Sequence, residues 1–335
     1  MITIDGGTAG GQLLRTALSL SAITKQPFKI TDIRGRRSNP GLQPQHLTAV
    51  QAAREICSAE VKGASLKSNS LEFIPHDLKG GNYTFDIGTA GSTTLLLQTI
   101  LPVLLKADQP SEVTVLGGTD TKWAVPSMDF KNVFLEYLDK IGIETEFEIE
   151  KFGFYPKGGG KVSLKVCPAT LLRKLDIMKR GNPEMLNIIS YCSNDLKKSE
   201  VAERMVKSFK ENFNFDKETV ADIKYFNTLS TGGFINAHVH FQNCILSQTC
   251  LAERGKKAED VGRECAGLLK KELSSESTAD IHTSDQLMIY MAMSGGGYIK
   301  IAEVTEHMKT NASVIEKFLP VRFDFSDNSI KCNKI

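Results

Sequence analysis

A loose threefold repeat limits the folds that this 335-residue chain can adopt. The sequence Gly-Thr-Ala-Gly stands at 7–10 and again at 88–91, and apolar residues at helical spacing follow each copy. Residues 287–292 have the same apolar spacing. Short β-prone runs precede the three predicted helices, at 2–5, 83–87 and 279–282. The pattern therefore predicts three related units.

Each unit continues in a similar way after its first helix. Second strands are predicted at 28–33, 112–116 and 298–304, and second helices at 45–56, 128–141 and 311–319. Gly142 is well placed to end the middle helix, and alternating residues predict a closing strand pair. Because such units bury their apolar faces by stacking, we predict an α/β (α+β) fold with three repeated βαβαββ units in one large domain.

The stretch 181–276 breaks this rhythm. It has its own amphipathic helix, which begins near Val201, a strand at 234–241 and a charged helix at 252–273. We therefore predict a small inserted α/β domain over 181–276. The large domain then comprises 1–180 together with 277–335.

Composition excludes several classes of protein. The net charge of +2 argues against a protein that coats nucleic acid through bulk charge, although binding one nucleic-acid end needs only a few cations. No run reaches the roughly 18 apolar residues that a membrane span requires, so no membrane partner is expected. The seven cysteines lack paired short spacings, which predicts reduced thiols and a cytoplasmic location.

Two pairs of potential metal ligands have structural alternatives. Cys244 and Cys250 fit no common zinc spacing. His238 and His240 alternate along the predicted strand, which puts both rings on one face. A metal-binding pair and two half-exposed strand histidines are both open at this level.

The candidate chemistry lies in loops beside predicted helix starts, where α/β proteins often bind ligands. The glycine-rich turns suit phosphate but also serve simple turn geometry, and the arginines at 34–37 suit either phosphate or solvent. Arg15 lies among apolar residues, where an internal salt bridge is the plain explanation. His307, expected in a loop at 303–307, is either structural or catalytic. The residues alone thus indicate a phosphate-handling α/β protein.

Several longer motifs are more specific. Phe-Gly-Phe-Tyr-Pro-Lys-Gly-Gly-Gly occupies 152–160, Gly-Gly-Thr-Asp occupies 117–120, and Asp-Gln-Leu occupies 285–287. Gln-His-Leu-Thr-Ala-Val at 45–50 and the segment 307–321 complete the set. In their order along nearly the whole chain, these motifs closely resemble those of the RNA 3′-terminal phosphate cyclases.

The resemblance implies a fold, an activity and a set of residues. Members of this family have three repeated units with an inserted α/β domain, and use ATP to convert an RNA 3′-phosphate into a 2′,3′-cyclic phosphate, releasing AMP and pyrophosphate. His307 matches the histidine that carries AMP. Matches to ATP-contacting positions are Gln98, Pro126, His282, Thr283, Ser284, Asp285 and Gln286. Matches to the site for phosphate and the RNA end are Arg15, Arg34, Arg37 and Gln45.

The resemblance also implies partners and a cofactor. RNA with a 3′-phosphate end and ATP are the expected substrates, with a divalent metal, Mg²⁺ or Mn²⁺, whose ligands are not assigned. Asp285 could orient His307, help to hold metal or cap a helix.

Three positions depart from the family pattern. The opening loop at 5–12 is short and lacks the usual glutamate, Phe152 replaces a basic residue, and His282 replaces a residue that is often aromatic. A catalytically altered, cyclase-like RNA-binding or ribosome-assembly protein is therefore the first alternative, although such relatives lack the histidine. An enolpyruvyl-transferase-like enzyme is the second.

Overall fold

The computed structural model describes residues 1–7, 10–169 and 171–335. Thr8 and Ala9, in the middle of the first glycine motif, lie outside the described residues. The strands of this part of the chain form four-stranded sheets that combine parallel and antiparallel pairs, with helices packed on them. The predicted α/β (α+β) class is confirmed.

The first sheet begins with a parallel strand pair. Its unit consists of β1 (Ile2–Asp5), α1 (Gln12–Thr24), β2 (Phe28–Thr31), α2 (Pro44–Ile56), β3 (Glu60–Lys62) and β4 (Leu71–Ile74). The strand order is β1-β2-β4-β3, with β1 and β2 parallel and the other pairs antiparallel. Pro44 starts α2 at a position where its missing N–H costs no hydrogen bond.

The second sheet has the same arrangement. Its unit consists of β5 (Asn82–Asp86), α3 (Thr93–Leu104), β6 (Ser111–Gly117), α4 (Ser127–Asp129), a π-helical turn (Phe130–Phe134), α5 (Leu135–Lys140), β7 (Thr145–Lys151) and β8 (Gly160–Val166). The order is β5-β6-β8-β7, again with the first pair parallel. The predicted helix at 128–141 is thus interrupted by a π turn, and Gly142 follows it at a φ of 89°.

The inserted segment follows the short strand β9 (Leu175–Ile177) and forms its own sheet. It consists of β10 (Pro183–Ser193), α6 (Val201–Asn212), β11 (Glu218–Phe226), β12 (Gly233–Phe241), β13 (Ile245–Leu251) and α7 (Ala258–Ser274). The predicted start of the charged helix at 252 was wrong, because the chain is still leaving β13 there and α7 begins at Ala258. The predicted limits of the inserted domain, 181 and 276, stay a prediction.

The third unit is assembled from both sides of this insertion. After α7 come α8 (Ile281–Met293), β14 (Gly296–Lys300), α9 (Glu306–Phe318), β15 (Val321–Asp324) and β16 (Ser329–Lys334). The predicted strand at 279–282 was wrong, because Asp280 caps α8 and the helix begins at Ile281. β9 instead pairs in parallel with β14, so the sheet order β9-β14-β16-β15 matches the other two.

The two larger apolar clusters support these layers. One is shared by all three units, and the other lies between the inserted sheet and helices α6 and α7. Among the described residues, no helix is both long and apolar enough to cross a membrane.

Tyr137 joins the second unit to the rest of the chain. Its buried hydroxyl donates to the carbonyl of Thr278 at 2.6 Å and accepts from the N–H of Ile245 at 3.2 Å. Tyr137→Phe should lower the free energy of unfolding by about 1–3 kcal/mol, because buried backbone groups lose their partner. Urea unfolding measures this. Tyr83→Phe, which removes an exposed bond to Lys79, is the control, and equal losses in both variants would contradict the assignment.

Candidate active site

Three helices bring together a chain of hydrogen-bonded side chains. Gln12 opens α1, Asp285 lies in the second turn of α8, and His307 lies in the first turn of α9. The Gln12 amide nitrogen donates to Asp285 Oδ2 at 2.5 Å, and Gln12 Oε1 lies 2.6 Å from His307 Nδ1. The predicted loop position of His307 was wrong, because Thr305 caps α9 and Glu306 begins the helix.

This chain of contacts determines which imidazole nitrogen is free. A carboxylate only accepts hydrogen bonds, so the amide nitrogen of Gln12 faces Asp285 and its oxygen faces His307. The Gln12 oxygen can only accept, so the hydrogen of a neutral His307 ring lies on Nδ1. The lone pair is then on Nε2. Since His307 is exposed, a reactant can approach it from solvent.

Asn311 holds Asp285 in place. One turn after His307 on α9, its side-chain amide donates to the backbone oxygen of Asp285 at 3.0 Å and to Oδ1 at 3.1 Å. Thr16 donates to the Asn311 oxygen at 2.8 Å, which orients that amide. Burial raises the pKa of Asp285, while the Gln12 bond opposes this shift.

Sequence reasoning assigned no function to Gln12 or Asn311. The i,i+4 spacing of His307 and Asn311 was the available signal for Asn311, because it places both on one helix face. The helix-capping alternative for Asp285 was wrong. Asp280 is the cap, and it accepts from the N–H groups of His282 and Thr283.

Arg15 contributes a positive charge without an ion-pair partner in the described part of the chain. The predicted internal salt bridge is therefore not formed there. Burial lowers the pKa of Arg15 to about 10, and the charge of Asp285 opposes this shift. A side chain at Gly11 would have its Cβ 3.0 Å from Arg15 Nη1 and 2.1 Å from His46 Nε2. Glycine at 11 thus leaves room for both groups at the start of α1.

His46 stays neutral beside this cation. Burial, together with the charges of Arg15 and Arg34, lowers the pKa of His46 to about 3. Its Nδ1 accepts from the backbone N–H of Gln43 at 3.2 Å, which fixes the ring at the start of α2.

The arginine loop, residues 34–37, lies beside the glycines that precede the first helix. Arg34 has a φ of 57°, and its Nη1 donates to the carbonyls of Asn39 and, at 3.1 Å, Gly41. Burial lowers the pKa of Arg34, and the charge of Arg37 adds to this effect. The Arg37 Nη2 lies 3.1 Å from the position that a Cβ at Gly10 would occupy. Arg37 therefore borders the loop that leads into α1.

Gln45 links this region to the second unit. Its Oε1 accepts from the N–H of Ser92 at 3.3 Å, and the Ser92 hydroxyl caps α3 by accepting from Leu95 N at 3.2 Å. Ser92 Oγ also lies 2.8 Å from Thr94 Oγ1, and Thr94 donates to the carbonyl of Val125 at 2.6 Å. The start of α2, the start of α3 and the 121–126 loop are thus joined by one network of hydrogen bonds.

The predicted nucleotide contacts are only partly assembled. The Gln98 amide donates to Gln286, whose own amide donates to the carbonyl of His282 at 2.9 Å, so these three lie together. His282 is exposed. Thr283 and Ser284 are buried, and their hydroxyls donate to Asp280, the cap of α8, so these hydroxyls do not donate to a ligand in this arrangement. Pro126 is the residue before α4.

The metal alternatives receive no support among the described residues. No group of three His, Cys, Asp or Glu side chains there is arranged to hold a metal ion. His238 is buried and its Nδ1 lies 2.8 Å from the Asn236 side-chain oxygen, whereas His240 is half-buried, so the alternative of half-exposed histidines holds for His240 and not for His238. Cys244 and Cys250 are buried free thiols.

Comparison with known proteins identifies the family. A family model described as RNA 3′-terminal phosphate cyclase matches residues 6–325. An RNA 3′-terminal phosphate cyclase from Archaeoglobus fulgidus is 43% identical over 339 residues, which cover 98% of this chain and 99% of that protein. One from Pyrobaculum aerophilum is 39% identical over 328 residues, covering 96% and 94%. The chain belongs to the RNA 3′-terminal phosphate cyclase family. It is therefore a ligase-type enzyme.

Among solved structures, EPSP synthase from Acinetobacter baumannii matches with a TM-score of 0.29 and 14% identity, over 68% of this chain and 49% of that chain. A similarity at this level supports no conclusion about the cyclase fold, which the sheet orders describe directly.

One departure from the cyclase pattern has a packing explanation. Phe152, where a basic residue was expected, is 5% exposed and lies in an aromatic cluster between the second unit and the inserted sheet. Its ring centroid is 4.7 Å from that of Phe226 and 5.6 Å from that of Tyr191. An apolar ring at 152 therefore joins the two parts of the cyclase.

Arg15→Met tests whether the unpaired Arg15 cation binds an anionic ligand. The free energy of unfolding should be higher for the variant than for the wild type by about 1 kcal/mol or more, because the substitution removes a poorly solvated charge. Methionine is chosen because its side chain is similar in length to that of arginine. Inorganic pyrophosphate should raise the melting temperature of the wild type but not of this variant. Arg54→Met, at an exposed position in α2, is the control. A variant that is no more stable and still responds to pyrophosphate would contradict this interpretation.

Proposed function

We propose that this protein uses ATP to convert an RNA 3′-terminal phosphate into a 2′,3′-cyclic phosphate through a covalent His307–AMP intermediate, releasing AMP and pyrophosphate. The observation that carries the proposal is the contact between Gln12 and His307 Nδ1, which leaves Nε2 free on an exposed ring. A neutral imidazole nitrogen with a free lone pair is a suitable nucleophile for phosphorus. Membership of the cyclase family supports the same reaction.

The first step forms the enzyme–nucleotide bond. His307 Nε2 attacks the α-phosphorus of ATP, a P–N bond forms, and the bond to pyrophosphate breaks. The adenylylated ring is then positively charged and keeps its hydrogen on Nδ1. Gln12 Oε1 accepts that hydrogen bond, and Asp285 holds the Gln12 amide so that this oxygen does not turn away. Such preorganised acceptors stabilise a charge that develops during reaction.

The next two steps involve RNA. An oxygen of the RNA 3′-phosphate attacks the phosphorus of the adenylylated histidine, the P–N bond breaks, and neutral His307 leaves. The neighbouring 2′-hydroxyl then attacks the RNA phosphorus, AMP leaves, and the hydroxyl proton passes to solvent. The last step is intramolecular, so correct orientation supplies much of its rate.

Cations at the start of α1 and in the arginine loop suit the phosphates in these steps. Arg15 is close enough to Asp285 for their charges to interact, and Asp285 is two hydrogen bonds from His307. Arg34, Arg37 and Gln45 border the same loops and are proposed to hold the RNA-end phosphate.

Adenosine is proposed to bind at Pro126 and at the Gln98–Gln286–His282 group. The wider predicted set, with Thr283 and Ser284, requires their hydroxyls to leave Asp280. Asp285 is assigned to positioning His307. A divalent metal, Mg²⁺ or Mn²⁺, would neutralise triphosphate oxygens, although no three His, Cys, Asp or Glu side chains of the described residues are grouped to hold it. A cytoplasmic location is supported by the seven free thiols.

The alternative of a catalytically altered, cyclase-like RNA-binding protein is favoured by one feature, the short opening loop without a glutamate. The oriented nucleophile favours the enzyme.

Transfer of label from ATP to the protein tests the nucleophile. ATP labelled at the α-phosphate should leave an acid-labile label on the wild type and none on His307→Ala. Adding RNA with a 3′-phosphate should then remove the label and produce cyclic ends. His76→Ala, which removes an exposed histidine beside Glu60, should retain the label. Label on the His307→Ala variant would show that another group is the nucleophile, and an unlabelled wild type would favour the RNA-binding alternative.

Gln12→Ala tests the positioning of the ring. The rate of label uptake at saturating ATP should fall about tenfold or more, since a hydrogen bond to a charged group contributes about 1.5–3 kcal/mol. The KM for ATP should change little, because Gln12 acts on His307 and not on the nucleotide. Gln109→Ala removes a side-chain bond to the Gly80 carbonyl elsewhere and should retain the wild-type rate. A variant with a raised KM and an unchanged maximal rate would assign Gln12 to ATP binding instead.

A further inference from the structure

An exposed tryptophan, Trp123, lies in the loop just before Pro126, a residue of the proposed adenosine site. Trp123, the one tryptophan of the chain, is 97% exposed and has a φ of 66°. A large aromatic ring in this position makes almost no contact with the protein, so folding gains little from it. A left-handed φ adds a backbone cost for a residue that is not glycine. Neither feature is explained by packing.

The loop that carries Trp123 is held firmly at both ends. Before it, Asp120 is 2% exposed and accepts from the N–H of Ser127 at 3.0 Å and from its hydroxyl at 2.8 Å, which closes the loop. Lys122 forms an ion pair with Glu253 at 2.8 Å. The ring is therefore displayed by an anchored loop, whose backbone loses little conformational freedom on binding.

The same loop is connected to the proposed RNA-end site. Val125, two residues after Trp123, accepts from Thr94 at 2.6 Å, and Thr94 contacts Ser92 at 2.8 Å. Ser92 donates to Gln45 at 3.3 Å. Three hydrogen bonds thus join the Trp123 loop to a residue proposed to hold the terminal phosphate.

A second exposed aromatic residue lies in the neighbouring loop. Tyr155 is 76% exposed, and its turn is closed by the Gly158 N–H, which donates to the carbonyl of Phe154 at 2.8 Å. The two loops are tied together because Thr119 N donates to the Gly153 carbonyl at 2.9 Å.

We propose that Trp123, with Tyr155, forms a stacking surface for bases of single-stranded RNA just upstream of the 3′ end. Exposed aromatic rings bind unpaired bases of any sequence through their faces. The nearly neutral chain cannot rely on bulk charge for affinity, so stacking would supply binding that is independent of sequence. This assignment rests on the proposed function, because RNA must be the substrate for an RNA surface to matter there.

Fluorescence tests the contact directly, because the emission comes mainly from one residue. Full-length protein is titrated with a mixed-sequence, single-stranded oligoribonucleotide that ends in a 3′-hydroxyl and so cannot be activated. Quenching is expected, and a blunt duplex of the same sequence should quench much less. Absence of quenching by the single strand would overturn the proposal. Quenching by ATP alone, with no further change on adding RNA, would also overturn it and assign the ring to adenine.

Kinetics provide the second measurement. Trp123→Ala should raise the KM for 3′-phosphorylated RNA about tenfold, with little change in kcat, and Trp123→Phe should restore most of the affinity. Leu171→Ala, at an 88% exposed position, is the matched control. Equal KM values for Trp123→Ala and Leu171→Ala would overturn the proposal.

Label uptake from ATP without RNA is measured on the same preparations. An unlabelled wild type would contradict the proposed function, while the fluorescence titration with 3′-hydroxyl RNA would still report on stacking. The two failures are therefore distinguishable.

Discussion

The hydrogen-bonded chain from Asp285 through Gln12 to His307 is the interaction on which the proposed chemistry depends. Each residue comes from a different helix. Helices α8 and α9 belong to the third unit, and α1 is the first helix of the first unit. A shift of any of these helices would break this series of hydrogen bonds, because a hydrogen bond weakens steeply as its geometry departs from the optimum. Packing of α1 against α9, and of α8 against α9, therefore has a direct chemical consequence.

The positive charge of Arg15 in the same region is not neutralised by an ion pair. Arg15 has no ion-pair partner in the described part of the chain, and burial has lowered its pKa to about 10. His46 beside it stays neutral because its pKa is lowered to about 3. Such a site is less stable than one with a paired charge, and it is suited to an anion that supplies the missing partner. The arginine loop, with Arg34 and Arg37, extends this positive surface.

The repeated sheet order explains how the site can be built from distant sequence. β9 and β14 form a parallel pair although the whole inserted segment lies between them. The insertion thus interrupts the third unit after its first strand, and the unit still has the same strand order as the other two. Phe152 connects the inserted sheet to the second unit by aromatic packing, and Tyr137 connects them through its hydrogen bond with Ile245.

The sequence by itself determined the fold class, most of the helices and strands, the family and the candidate nucleophile, since apolar periodicity and long motifs are local properties of the chain. It did not determine the first strand of the third unit, β9, because two strands that pair across an insertion leave no local signal of their pairing. Residues 279–282 were predicted as that strand only because they are β-prone. Only the tertiary structure decided that Asp285 contacts Gln12, which in turn contacts His307, and that Asp285 does not cap a helix. The physical reason is that hydrogen bonding depends on distance and direction between helices, and neither is encoded in spacing along one segment.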